Sequence, residues 1–207
     1  MRFLAAATAL AVALLCGASV GVAANVGAND DSAKHHDDGG AALYSEMAAL
    51  GLTQTVIGVR FVPSEAVVIQ QKPLLDRAIA AAHSAGLRVV LAVYPYPPRE
   101  IEAGLSSPSM FAAYAGVLAS IYPEVKHFVI GNEANQPAFW RPQFTRTKQR
   151  SAAAFGSFLA AGYDALKAVD PTLTVVGVGL SPRGNDRPQA KSNVSTSPVR
   201  FLVALGA

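Results

Sequence analysis

The chain has 207 residues, of which 51% are hydrophobic and 15% are charged. This composition indicates about one domain with a sizeable core and argues against a chain that is disordered throughout. The formal net charge is +3 and no run of five lysines or arginines occurs, so the sequence gives no support to nucleic-acid binding.

The first 24 residues have the pattern of a secretory signal peptide. Arg2 precedes an apolar segment from Phe3 to Leu15, and Val22-Ala23-Ala24 supplies the small residues required for cleavage. The apolar segment is shorter than the roughly 20 residues of a membrane span. We therefore expect cleavage before Asn25, a secreted protein (extracellular or periplasmic) and no membrane association afterwards. Cleavage also removes Cys16, the only cysteine.

From Asn25 to the end, short apolar runs alternate with longer segments of helical spacing. The predicted strands are Ala24 to Ala28, Thr55 to Val62, Arg88 to Tyr94, Lys126 to Gly131 and Leu173 to Leu180. The predicted helices are Ala41 to Leu50, Lys72 to Ala85, Ser109 to Tyr122, Ser151 to Val169 and Pro198 to Leu205. Strands that are apolar at nearly every position are typical of parallel sheets covered on both faces.

Repeated β-α units are compatible with an open doubly wound sheet or with a closed (β/α)8 barrel. No G-x-G-x-x-G turn follows the first strand, which removes the main support for a dinucleotide-binding sheet. Polar or aromatic residues follow every predicted strand, and in a barrel these strand ends converge on the active-site mouth. Residues of this kind are Asn29, Asp30, Asp31, Arg60, Tyr94, Tyr96, Asn132, Glu133, Asn135, Trp140, Arg183, Asn185 and Asp186. The predicted fold is therefore α/β, a (β/α)8 barrel with strands and helices 1 to 5 present.

The segment VIGNEANQPAFW, from Val129 to Trp140, carries the most specific signal. A fourth strand that ends in Asn-Glu resembles the clan A (4/7 superfamily) glycoside hydrolases, and residues 25 to 207 as a whole are similar to cellulase-like secreted bacterial proteins. The resemblance implies that Glu133 is the general acid/base and that Asn132 binds the sugar 2-hydroxyl. It further implies that Arg60, on the second strand, orders the site around the nucleophile.

Retaining hydrolysis of a glycoside needs a second carboxylate roughly 5 Å from the first. In the family this nucleophile follows strand 7, and the present chain ends in the fifth predicted helix, so no residue matches it. Tyr94, Asn135, Trp140, Asp30 and Asp186 are candidate substrate-binding residues. Two hypotheses follow: residues 25–207 are part of a retaining β-glycosidase acting on a poly- or oligosaccharide, or they form a non-catalytic carbohydrate-binding or degenerate partial barrel.

Each candidate also has a structural interpretation. Glu133 and Asn132 are compatible with a solvated turn, Arg60 with an ion pair inside the barrel, Tyr94 with packing at the rim, and Trp140 with a buried wedge as much as with a sugar platform. His35-His36 has no third ligand at a useful spacing and is interpreted as part of a solvated loop. No metal or cofactor is implied.

An incomplete barrel also predicts a particular folding behaviour. Strands 1 and 5 would present unpaired sheet edges, and the inward side chains of Val56, Val90 and Val129 would meet water. We expect the isolated chain to be poorly soluble or to form oligomers through these edges.

Overall fold

The structure is a computed structural model that describes residues 25–63 and 69–206. The predicted signal segment, residues 1–24, lies outside the described residues. The main sheet has five parallel strands in the order β1-β2-β3-β4-β7. These strands are β1 (Gly27–Asn29), β2 (Gln54–Phe61), β3 (Arg88–Pro95), β4 (His127–Ile130) and β7 (Thr174–Gly177). The short strands β5 (Phe144–Thr145) and β6 (Lys148–Gln149) form a separate antiparallel hairpin.

Helices connect the parallel strands and cover one face of the sheet. They are α1 (Ala41–Ala49), α2 (Lys72–Ser84), α3 (Pro98–Glu102), α4 (Pro108–Ile121), α5 (Ser151–Val169) and α6 (Pro198–Leu205), with a 3-10 turn at Ala33–His35. The sequence dictates several of these starts. Ser107 accepts a hydrogen bond from the Met110 N–H at the beginning of α4, and Pro108 follows as the first helical residue, a position where its missing N–H costs nothing. Within the described residues, no helix has the length and apolarity that crossing a membrane requires.

The two faces of the sheet differ in what covers them. On β2, Ile57, Val59 and Phe61 are fully buried in the core, where they pack toward the helices. Side chains alternate along a strand, so Gly58 and Arg60 point to the opposite face. That face is the concave inner side of the curved sheet, which corresponds to the interior of a barrel.

The described sheet is not closed, in agreement with the predicted incomplete barrel. β1 and β7 are its edges, and Val176 on β7 is 49% exposed. The inward side chains are better covered than an open half-barrel predicts: Val56 and Val129 are half-buried, but Val90 is only 7% exposed. The expectation that Val90 meets water is therefore wrong.

Candidate active site

The carboxyl ends of β1 to β4 lie side by side and form what we call the mouth. Arg60 on β2 is level with Tyr94 on β3 in the parallel register. The Gly131 N–H, directly after β4, donates to the Val93 carbonyl oxygen at 2.8 Å. The topology therefore brings Arg60, Tyr94 and the Asn132-Glu133 segment to one end of the sheet, as predicted.

Glu133 has an unusual backbone conformation at the end of β4. Its φ is +41°, in the left-handed region that costs a residue with a side chain roughly 1–2 kcal/mol. Two bonds hold this conformation: the Glu133 N–H donates to the Gly179 carbonyl at 2.8 Å, and the Glu133 carbonyl accepts from the Gln136 N–H at 2.7 Å. Glu133 and Asn132 are both half-buried. These bonds fix the backbone of Glu133 at the carboxyl end of β4, and the residue remains partly accessible.

Gly131 explains how the chain reaches this position. Its φ is +88°, and a Cβ at this residue would collide with the ring of Phe155 on α5. Only glycine combines this φ with such a close approach. The backbone turn at Gly131 therefore ends β4 close to α5 and places Asn132 and Glu133 at the mouth.

Two aromatic rings surround Arg60. Its guanidinium carbon lies 4.8 Å from the centre of the Tyr96 ring, a cation–π distance. The pKa of Arg60 is raised, chiefly by the hydroxyl of Tyr94 and against the opposing effect of partial burial. Tyr94 itself is only 7% exposed and packs edge-on against Tyr96 and Phe139, at 6.5 and 5.9 Å between ring centres. Tyr94 therefore contributes mainly to rim packing and to the orientation of Arg60.

Beside Arg60 the mouth opens into a cleft of about 440 Å³. The residues that line the cleft are Arg60, Val62, Gln70, Gln71, Tyr96, Pro97 and Arg99. Hydrogen-bonding groups and one aromatic ring face the same space, a composition suited to a polar, hydroxyl-rich ligand.

Asn135 is fully buried and cannot contact a sugar, which corrects the prediction that it binds substrate. Its Nδ2 donates to the carbonyls of Ser181 and Thr196, both at 3.0 Å, and its Oδ1 accepts from the Ser181 N–H at 2.9 Å. A buried amide with several backbone partners ties segments together. Asn135 therefore anchors the loop between β7 and α6 to the segment that carries Glu133.

Trp140 is 2% exposed, which also corrects the prediction that it binds substrate. Its ring packs edge-on against Phe155 and Phe158, with ring centres 5.6 and 5.1 Å apart. Of the two interpretations left open by the sequence, the buried wedge is the one observed. The indole Nε1 has no hydrogen-bond partner among the described residues.

The carboxylates of Asp30 and Asp186 take part in local structure. Asp30 Oδ1 accepts from the N–H and hydroxyl of Ser32, at 2.8 and 2.5 Å, and these bonds lower the pKa of Asp30. Asp186 Oδ1 accepts from the Ser197 N–H at 2.8 Å, at the start of α6. The predicted contact of either residue with substrate therefore has no support in this geometry.

The sequence analysis places Asp31 among the polar residues after the first strand but does not select it as a substrate-binding candidate. Asp31 Oδ1 accepts from the Gly58 N–H at 2.9 Å and from Lys34 Nζ at 2.7 Å. Lys34 is buried, since its side chain is 1% exposed, whereas that of Asp31 is 36% exposed. No local sequence signal identifies this pair, because it depends on Gly58, 24 residues after Lys34 along the chain.

The histidine pair lies away from this arrangement. His35 and His36 are exposed, at the 3-10 turn that follows β1. Within residues 25–63 and 69–206, no group of three or more His, Cys, Asp or Glu side chains has the arrangement of a metal site.

Comparisons with known proteins place the fold. No family model and no curated protein matches the chain. Among solved structures, a glycoside hydrolase family 5 enzyme from Prevotella bryantii is 12% identical over 78% of this chain and 51% of its own, with a TM-score of 0.52. A variant of that enzyme in complex with a xyloglucan tetradecasaccharide matches 85% of this chain and 61% of its own, at 12% identity and a TM-score of 0.56. A family 39 glycoside hydrolase from Bacteroides cellulosilyticus has 16% identity and a TM-score of 0.45.

The chain spans only part of these relatives, from 31% of the family 39 enzyme to 61% of the family 5 variant. At this identity the likeness concerns the fold. The residues described here have the fold of part of a (β/α)8 barrel, similar to that of the family 5 glycoside hydrolase structures, and the predicted fold is confirmed at that level.

Proposed function

We propose that residues 25–207 form the acid/base half of the active site of an exported retaining glycoside hydrolase. In this proposal Glu133 protonates the leaving oxygen of a poly- or oligosaccharide, Asn132 binds the sugar next to it, and Arg60 orders the mouth. The second carboxylate comes from a further part of a longer protein, and the segment Met1–Ala24 directs export.

The observation that carries the proposal is the backbone of Glu133. Glu133 is one of five residues other than glycine with a positive φ among the described residues, and it is the one that directly follows the fourth parallel strand; strain of this kind is frequent at functional sites. The strained residue is a half-buried carboxylate at the end of the fourth parallel strand, on the face where barrels of this fold hold their catalytic groups.

The cleft beside Arg60, at the same end of the sheet as Glu133, suits a sugar. The cleft next to Arg60 offers an aromatic ring, two guanidinium groups and two glutamine amides. A relative with the same fold binds a xyloglucan oligosaccharide, which supports a β-linked polysaccharide as the substrate class.

The chemistry requires two carboxyl groups, one as acid and one as nucleophile. In the resembling family the nucleophile follows strand 7, and Asp30 and Asp186 follow the first and fifth parallel strands, so neither occupies the nucleophile position in this proposal. We therefore expect the 207-residue chain to leave aryl β-glycosides unhydrolysed. A longer protein with the remaining strands of the barrel should hydrolyse them.

Glu133→Gln in that longer protein tests the proposal. Without an acid, kcat/KM for phenyl glycosides, whose leaving group must be protonated, should fall by about 10²–10⁴. Dinitrophenyl glycosides, whose leaving group departs as an anion, should lose far less. Glu102→Gln, at the exposed end of α3, is the matched control and should leave both rates unchanged. Equal losses on both substrates would contradict the role of Glu133 as acid.

The second candidate is a non-catalytic carbohydrate-binding barrel, in which the cleft beside Arg60 binds a sugar without hydrolysis. Binding of oligosaccharide with no hydrolysis by the longer protein would support this alternative.

A further inference from the structure

The side chains of Asp31 and Lys34 bind the backbone of β2 just beyond the end of β1. The β1–β2 register ends at the pair Asn29 and Val56, so Asp31 follows two residues later at the level of Gly58. There Asp31 Oδ1 accepts the Gly58 N–H at 2.9 Å, and Lys34 Nζ donates to the Gly58 carbonyl at 2.6 Å. The two side chains thus satisfy the backbone groups that β1 would otherwise pair.

Gly58 leaves room for the carboxylate on the inner face. A Cβ at Gly58 would lie 2.8 Å from Asp31 Oδ1 and 3.2 Å from Asp31 Cγ. The neighbours Ile57 and Val59 face the helices, so this Cβ direction is the concave side. The Asp31 carboxylate therefore occupies the inner face of β2, two residues before Arg60 on the same face.

The ion pair is asymmetric. Lys34 is 1% exposed and has a third contact, with Gln71 Oε1 at 3.3 Å, whereas Asp31 is 36% exposed. Burial lowers the pKa of Lys34, and the hydrogen bond to Asp31 opposes this effect. Oδ1 has two donors, the Gly58 N–H and Lys34 Nζ, and Oδ2 accepts no hydrogen bond from the described residues. A charge-assisted hydrogen bond from a buried cation orients the partly exposed carboxylate.

We propose that Asp31 binds a hydroxyl group of the carbohydrate at the mouth and that Lys34 is its positioning residue. This inference rests on the proposed function, because it assumes a sugar at the mouth. Asp31 Oδ2 accepts the hydrogen bond of the sugar hydroxyl, while Lys34 and the Gly58 N–H fix Oδ1. Gln71, which contacts Lys34 and lines the neighbouring cleft, connects this contact to the space beside Arg60.

The test uses isothermal titration of the mature chain with cellotetraose and with a xyloglucan heptasaccharide. Asp31→Asn keeps an acceptor at Oδ1 and the shape of the side chain but removes the charged free oxygen. It should weaken binding about tenfold or more, the cost of losing a hydrogen bond to a charged group. Asp30→Asn is the matched control, since the carboxylate of Asp30 bonds Ser32, and its dissociation constant should stay within about twofold of that of the unaltered chain.

Lys34→Met tests the positioning role, with a thermal unfolding curve recorded on the same sample. If Lys34 positions Asp31, the folded Lys34→Met protein binds several-fold more weakly. A purely structural role would lower the unfolding midpoint and leave the dissociation constant of the folded protein unchanged, which would overturn the assignment of Lys34.

The two proposals fail in different ways. If the unaltered chain binds and the Asp31→Asn and Asp30→Asn variants bind equally tightly, the inference about Asp31 is overturned and the proposed function stands. If the unaltered chain binds neither oligosaccharide, the inference about Asp31 is overturned, whereas the proposed function is decided by the Glu133→Gln rates of the longer protein.

Discussion

Replacement of Glu133 by glycine should make the 207-residue chain more stable and the longer protein less active. Glu133 has a φ of +41°, and the left-handed region costs a residue with a Cβ about 1–2 kcal/mol. Glycine adopts this conformation freely, but it loses about 0.5–1 kcal/mol more conformational entropy on folding. The difference predicts that Glu133→Gly raises the free energy of unfolding by about 0.5–1 kcal/mol.

Urea unfolding measures this change, provided that the transition is cooperative. Arg146→Gly is the matched control, because Arg146 has a φ of +54° in the exposed turn between β5 and β6. The free energy of unfolding should rise by a similar amount in both glycine variants. Glu133→Ala retains a Cβ at the same positive φ, so its free energy of unfolding should not rise.

If Arg146→Gly is stabilised while Glu133→Gly is destabilised, the Glu133 side chain makes a stabilising contact that outweighs its strain. Its conformation would then be explained by folding, and the argument that the strain is maintained for function would be wrong.

Three further outcomes are expected. Lys34→Met should lower the free energy of unfolding by about 2 kcal/mol in urea melts, because the buried Gly58 carbonyl loses its donor. The control Lys72→Met breaks an exposed pair with Asp76 and should lower the free energy of unfolding by under about 1 kcal/mol. Hydrogen bonds from Lys126 and Thr172 lower the pKa of Asp170. Asp170 therefore stabilises the fold above the pKa of an unfolded aspartate, and this stabilisation is lost as the pH falls through the lower folded pKa. In acid titrations, the free energy of unfolding of Asp170→Asn should fall less steeply than that of the unaltered chain. Size-exclusion chromatography of the isolated chain should show oligomers formed through the open sheet edges, and a monodisperse monomer with one sharp thermal transition would contradict the half-barrel.

The helices and strands were predictable because residues that end helices and strands separate the apolar segments. α5 and α6 match their predicted bounds, since Pro171 closely follows the end of α5 and Ser197-Pro198 starts α6. The ends of β4 and β7 were predicted too long. Gly131 and Val178 have φ values of +88° and +69°, and these backbone turns end the strand ladder although the residues themselves are apolar.

The site was predictable only in part. The position of Glu133 follows from its place after the fourth strand. The direction of Asn135 and Trp140 does not, because the same polar and aromatic residue types serve a core and a sugar site equally well. The roles of Asp31 and Lys34 depend on a contact with Gly58 across the sheet, which no local pattern records.

A crystal structure of the Glu133→Gln chain with a bound xyloglucan oligosaccharide tests the central claim most directly. The account predicts that the sugar lies across the mouth, with the carboxamide at position 133 within about 3 Å of a glycosidic oxygen. An oligosaccharide bound in an ordered position elsewhere, with residue 133 out of reach of every glycosidic oxygen, would contradict it.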